Sequence, residues 1–142
     1  MQRITVETDK EKEIVDITDK ISRIVKVSEI KTGFAHLFLA HTTAALTTAY
    51  LDPEEELEIF DLFEVAVPSR ISLRNPHEHT HRLTRMPDHF LASFLGPSLS
   101  IPIENSNILL GEFQRLVLVE LNGPRSRQII VGCTQELTVE KV

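Results

Sequence analysis

Phe34-Ala35-His36-Leu37-Phe38-Leu39-Ala40-His41-Thr42-Thr43-Ala44-Ala45-Leu46-Thr47-Thr48-Ala49-Tyr50 is the stretch on which the reading of the fold turns. Phe34–Ala40 is apolar apart from His36, and Ala44–Tyr50 resumes the apolar run after His-Thr-Thr, so both segments read as buried strands. In extended backbone Ala35, Leu37, Leu39 and His41 point one way, while Phe34, His36, Phe38 and Ala40 point the other. His41 therefore emerges at the end of a buried strand. A polar triplet there costs burial energy unless it is hydrogen-bonded or faces a cleft.

Working outward, Gln2–Thr8 alternates and reads as an opening strand, with a second near Glu13–Ile17. Ile17, Ile21, Ile24 and Val25 recur at helical spacing, with Asp16 or Thr18 as cap and Gly33 as stop. Asp52-Pro53-Glu54-Glu55 starts a helix in which Leu57, Phe60, Phe63 or Glu64, and Val67 form the buried stripe, and Pro68 stops it. Ser69–Pro87 is poor in apolar residues and dense in histidine and arginine, and reads as a long loop of the kind that tends to be functional. A short helix, Asp88–Leu95, closes at Gly96-Pro97. The remainder is strand-rich: Ser98–Ile103, Ile108–Leu110, Arg115–Leu121 and Gln128–Val139, with turns at Asn105-Ser106-Asn107 and Asn122-Gly123-Pro124. Helices and strands are segregated, which predicts one α+β domain with a mainly antiparallel sheet and two or three helices.

Composition narrows the function classes. The 142 residues carry a net charge of −6, with 42% apolar and 25% charged side chains, an ordinary globular balance. Net acidity argues against a general nucleic-acid binder. No run is long and apolar enough for a membrane span, and the N-terminus lacks the apolar core of a secretory signal. A lone cysteine, Cys133, fits the reducing cytoplasm and reads as a buried, inert thiol. Between Thr32 and Glu140 every basic side chain is arginine, the residue preferred where a planar fork grips a carboxylate or phosphate.

Three features could carry chemistry. His41-Thr42-Thr43 is the first, with a structural histidine as the alternative reading of His41, while His36, set among large apolar groups, reads as a satisfied core or interface histidine. The second is His77-Glu78-His79-Thr80-His81, where alternate residues in extended backbone lie about 6.6 Å apart and share a face, so that two imidazoles can converge on one ion. A catalytic zinc site takes about three protein ligands, and nothing local selects which two of His77, His79 and His81 contribute. A merely solvated histidine-rich loop is the bland alternative. His89, one residue into the short helix behind Asp88, is the third; a helix N-terminus favours the neutral imidazole that metal binding requires. Asn122-Gly123-Pro124-Arg125-Ser126-Arg127 reads either as a hairpin turn with two solvated arginines or as an anion clamp.

Together these motifs resemble the YjbQ family. His41-Thr42-Thr43-Ala44-Ala45-Leu46-Thr47 with Asp52-Pro53 is similar to its H-T-T/S-A-x-L-T…D-P signature, and Met86-Pro87-Asp88-His89 through Phe94-Leu95-Gly96-Pro97-Ser98-Leu99 and Ile101-Pro102-Ile103 to a second block. Leu110-Gly111-Glu112-Phe113-Gln114 resembles L-G-T-W-Q, and Glu120 through Gly123-Pro124-Arg125-Ser126-Arg127 the closing segment. Departures fall at Arg82-Leu83-Thr84-Arg85, where the family often has Glu-Gly, and at Glu112 and Phe113. The resemblance implies a compact cytoplasmic α+β domain that assembles as a homotrimer, in a family often labelled secondary thiamine-phosphate synthase. It puts His41 and His89 on the signature histidines, with His77 or His79, preferentially His79, as the third.

The function this reading predicts is a metal-assisted enzyme of phosphate-bearing small molecules. His41, His79 and His89 hold a divalent ion, zinc first. His41, His89 and Gln114 serve catalysis, and Thr42, Arg125 and Arg127 take the phosphate charge. The alternative is a non-catalytic homotrimer that binds metal or ligand through the same residues. Neither reading involves nucleic acid or membrane.

Overall fold

Period-two alternation becomes real structure at Thr32–Leu39, a strand with Ala35, Leu37 and Leu39 buried and Phe34, His36 and Phe38 facing out. The computed structural model describes residues 1–51, 60, 70–74, 81–85 and 88–136, of which 70–74 and 81–85 are described by their backbone. The elements are β1 (Gln2–Glu7), β2 (Glu13–Asp16), α1 (Thr18–Val27), β3 (Thr32–Leu39), β4 (Ala44–Ala49), β5 (Arg70–Arg74), β6 (His81–Arg85), α2 (Asp88–Leu95), β7 (Ser98–Glu104), β8 (Asn107–Ile108), β9 (Arg115–Glu120) and β10 (Ser126–Gln135). The α+β class with antiparallel sheet is as the sequence predicts.

Strands form a five-stranded sheet in the order β1-β10-β3-β7-β8, a three-stranded sheet β2-β9-β4 and the pair β5-β6, with every pairing antiparallel. The two larger sheets pack through Val6, Leu37, Leu39, Ile129 and Val131 on one side and Leu46, Leu116 and Leu118 on the other. Helix α1 adds Ile21 and Val25 to this core, a stripe at the helical four-residue repeat. The opposite face of β9 presents Val117 and Val119 to Ala92 of α2, with Leu91, Leu95 and Phe60 packed around them. As the middle strand of its sheet, β9 is buried on both faces, which is why Leu116–Leu121 is continuously apolar but for Glu120.

Besides 109–114 between β8 and β9, three short connections carry the chain from one large sheet to the other: 8–12 between β1 and β2, 40–43 between β3 and β4, and 121–125 between β9 and β10. Register puts all three at one end. Glu120 pairs with both Glu13 and Ala44, while Ser126 pairs with Glu7. Backbone hydrogen bonds knit them: Thr8 N–H donates to the Arg125 carbonyl, Gly123 N–H to Glu11, and Leu121 N–H to Thr43. A Cβ on Gly123 would come within 2.8 Å of Glu120 Cγ and 2.9 Å of Thr8 Oγ1, so only glycine fits this corner.

Four expectations are corrected. The first helix ends at Val27 rather than Gly33, because the Ser28 hydroxyl donates to the Val25 carbonyl at 2.7 Å and Glu29 turns the chain at φ 58°. Gly33 instead lies within β3, where a Cβ would overlap the Thr134 carbonyl oxygen. The segment read as one long loop contains the β5-β6 hairpin, because Arg70, Ser72 and Arg74 alternating with Ile71 and Leu73 hide a two-residue period beneath a low apolar content. β3 is buried on one face rather than both, and Cys133 is half-buried beside the core rather than enclosed. The helix expected from Asp52, apart from Phe60, and the His77–Thr80 stretch lie outside the described residues.

Candidate functional site

β3 ends at Leu39, paired with Ile129 of β10, so the next β10 residue, Gln128, has no β3 carbonyl opposite it. His41 fills that vacancy. The Gln128 backbone N–H donates to His41 Nε2 at 3.0 Å. A ring nitrogen that accepts an N–H bond must carry its lone pair, so the neutral ring bears its proton on Nδ1 and presents a donor there. Burial first, and then the positive charge of Arg127, hold the His41 imidazole below the ordinary histidine value; Glu120 pulls the other way and Arg125 adds to the depression.

Beneath this ring lies a buried ion pair. Arg127 is 2% exposed and Glu120 0%. Arg127 Nε donates to Glu120 Oε2 at 2.6 Å and a terminal guanidinium nitrogen donates to Oε1, a two-pronged pairing. That same nitrogen donates to the Thr43 carbonyl at 3.2 Å and to Thr43 Oγ1 at 3.0 Å. Glu120 accepts further bonds from Thr8 Oγ1 at 3.1 Å and from the Leu121 and Asn122 N–H groups at 3.0 and 2.9 Å. Burial opposes ionisation of Glu120, but Arg127, the Asn122 N–H and Thr8 together outweigh it and hold the carboxyl below its usual range. No buried side-chain polar atom among the described residues lacks a partner.

Two clefts share the His41-Thr42-Thr43 wall. The polar one, about 710 Å³, is completed by Ala40, Pro124, Arg125, Ser126 and Arg127. The other, about 510 Å³ and mainly apolar, is completed by Ala44 and by His89, Ala92, Ser93 and Pro97 from α2 and its exit. Of the residues predicted from the sequence, the structure thus brings together His41, Thr42, Arg125, Arg127 and His89. The two arginines differ in kind. Arg125 is exposed, its Nε donating to the Asn122 carbonyl at 2.7 Å, which leaves guanidinium N–H groups available to a ligand. Arg127 is not the solvated turn residue of one expectation; its fork is committed to Glu120 and Thr43.

Gln114 stands apart. It lies at the Arg115 end of β9, about 17 Å of strand from Glu120, and its Oε1 accepts the Gly111 N–H at 2.9 Å. His36 lies on the outward face of β3, its Nδ1 3.2 Å from Ser100 Oγ and its Nε2 3.0 Å from Thr134 Oγ1, on the two flanking strands. His79 and His77 lie outside the described residues, among which no group of three or more His, Cys, Asp or Glu is placed to hold a metal. His41 as placed does not fit a metal through Nε2, because Gln128 occupies that lone pair. Glu120 and Thr8 are the residues that reading the sequence missed. One acid inside the apolar run Leu116–Leu121 was the available signal, since such a group demands a buried partner.

A two-sheet antiparallel domain with a histidine- and arginine-lined corner defines the class, and comparison with known proteins supplies the family. The chain belongs to the family described as UPF0047 protein YjbQ-like, whose pattern matches residues 2–136. A UPF0047 protein of Archaeoglobus fulgidus is 32% identical over 128 residues, covering 90% of this chain and 96% of that one. The YjbQ protein of Salmonella typhimurium is 34% identical over 114 residues, 78% of each chain. Among solved structures, a protein of unknown function from Sulfolobus solfataricus superposes with a TM-score of 0.79 at 31% identity, over 95% of this chain and 96% of that one. A YjbQ/UPF0047 family protein of Clostridium acetobutylicum gives 0.78 at 27% identity, over 94% and 100%. No described helix is long and apolar enough to cross a membrane.

Proposed function

We propose that the chain binds and acts on a small molecule that carries a phosphate group on an apolar or aromatic body. One observation carries the reading: His41-Thr42-Thr43 is the common wall of a polar cleft holding Arg125 and an apolar cleft holding Ala92 and Pro97. Arg125, the Thr42 hydroxyl and a His41 Nδ1–H are donors for an anion in the first cleft, and the second takes the body. Arg127 supports the anion through its charge and by holding Thr43. The resemblance adds a specific reaction, the joining of a pyrimidine diphosphate to a thiazole phosphate to form thiamine phosphate, and so names the first compounds to try.

A divalent ion, zinc first, held by His41, His89 and His79 is the second reading. His41 and His89 facing one cleft favour it. It requires the His41 ring to turn and release Gln128. When bound, the ion would polarise a phosphoryl oxygen.

Calorimetry with phosphorylated pyrimidines and thiazoles, with inorganic phosphate as reference, tests both. Arg125→Ala is expected to weaken binding about 10- to 100-fold, the loss of one or two charge-assisted hydrogen bonds. Binding unchanged by this variant, or none of these compounds binding at millimolar concentration, refutes the anion site. Affinity that vanishes on chelation and returns with zinc selects the second reading.

We also infer that the chain associates with itself, as the trimer implied by the resemblance. Phe34 and Phe38, 41% and 48% exposed on the outer face of the five-stranded sheet, support it. Sedimentation equilibrium is expected to give about three times the chain mass, and Phe38→Glu to lower it. A monomer across the micromolar range refutes the association.

A further inference from the structure

We propose that Glu120, acting through Arg127, is a positioning residue that fixes which nitrogen of His41 carries the proton. His41 is held from two sides, and both holds converge on Arg127. On one side its ring accepts the Gln128 N–H, and that N–H belongs to the peptide plane that begins at the Arg127 carbonyl carbon. On the other side the segment after His41 is tied down by Thr43, whose carbonyl and hydroxyl both accept from Arg127. Arg127 has no freedom to drift, because two of its nitrogens are on Glu120. Glu120 is in turn anchored to the β1–β2 connection by Thr8 and to the turn after β9 by the Leu121 and Asn122 N–H groups. A carboxylate buried in the three-stranded sheet thereby sets the orientation of an imidazole in the clefts without touching it. Two features argue against a purely stabilising pair. The fork is shared with Thr43 rather than spent wholly on the carboxylate, and the residue after Arg127 supplies the His41 contact.

The tautomer is a property of the free protein, so its measurement does not depend on which ligand binds. Long-range ¹H–¹⁵N correlation spectra of the histidine rings, with His41 assigned by the signals lost in His41→Gln, are expected to show the wild-type ring predominantly protonated on Nδ1. Arg127→Lys keeps the positive charge but loses the fork, and Thr43→Val keeps the side-chain shape but loses the hydroxyl. In both, the His41 signals are expected to move to the intermediate shifts of mixed tautomers, while those of His36, held by Ser100 and Thr134 on the outer sheet face, stay in place. Returning lysine to arginine restores the single tautomer. Circular dichroism establishes that each variant is folded, and if Arg127→Lys does not fold, Thr43→Val decides. A His41 tautomer unchanged in the folded variants overturns the proposal, as does a wild-type ring protonated on Nε2. A merely structural pair would lower the unfolding midpoint and leave the tautomer alone.

Discussion

Glu120→Ala is expected to destabilise the fold by about 3–5 kcal/mol, measured as a fall in the urea unfolding midpoint. The cost is not the worth of the ion pair. It is the cost of leaving Arg127 charged, 2% exposed and stripped of its carboxylate, with the Asn122 N–H losing its acceptor as well. Replacing both partners, as in Glu120→Leu with Arg127→Met, is expected to cost less than the single change, because no buried charge is orphaned. Acid acts on the same group. The Glu120 carboxyl is held below its usual range in the folded chain, so its contribution is complete above the ordinary glutamate pKa and is lost as pH falls through the depressed folded value. Stability measured downward from neutrality should therefore drop on the acidic side, and Glu120→Gln should flatten that drop. A single-variant cost under about 1 kcal/mol would refute this account of the corner.

Leu118→Ala is the second large effect, expected at about 2–5 kcal/mol. Leu118 is fully buried in the middle strand of the three-stranded sheet, facing Val15 and Leu46 across the ladder and belonging to the core shared with the five-stranded sheet and α1. Neighbours anchored in two sheets cannot collapse into the space left by the side chain, which places the cost in the upper part of that range. Leu109→Ala, 53% exposed, serves as the control and should fall within about 0.5 kcal/mol of wild type. Equal unfolding midpoints for the two variants would show that the sheets do not share one core.

What was legible in the sequence follows from which interactions are periodic. The β3 alternation could be read because one face of the strand is buried. The cap of α1 falls on Ile17, without a side-chain cap bond, rather than on Asp16 or Thr18, although the Asp16 carboxylate beside it accepts the Thr18 N–H at 2.8 Å. The β5-β6 hairpin escaped because its charged residues mimic a loop in composition. Arg127 shares the inward parity of Ile129 and Val131, yet its burial could not be inferred without a partner to neutralise it. That partner comes from another strand, seven residues back and across a change of sheet. Local spacing has no means to announce such a pairing, nor the Gln128 N–H left unpaired where β3 stops. The corner residues were named as polar groups near one another in a motif, whereas their roles depend on long-range geometry.

The crossing of three connections at one corner has a consequence for how the protein comes into being. Thr8 meets Glu120 across 112 residues, His41 meets Gln128 across 87, and Thr43 meets Arg127 across 84. Contacts this distant must wait until the loops between them have closed, which makes them late and slow to form. A chain still emerging from synthesis, or one that has frayed its first strand, therefore lacks this corner altogether rather than holding a weakened form of it. The assembled corner is in effect a certificate of completed folding.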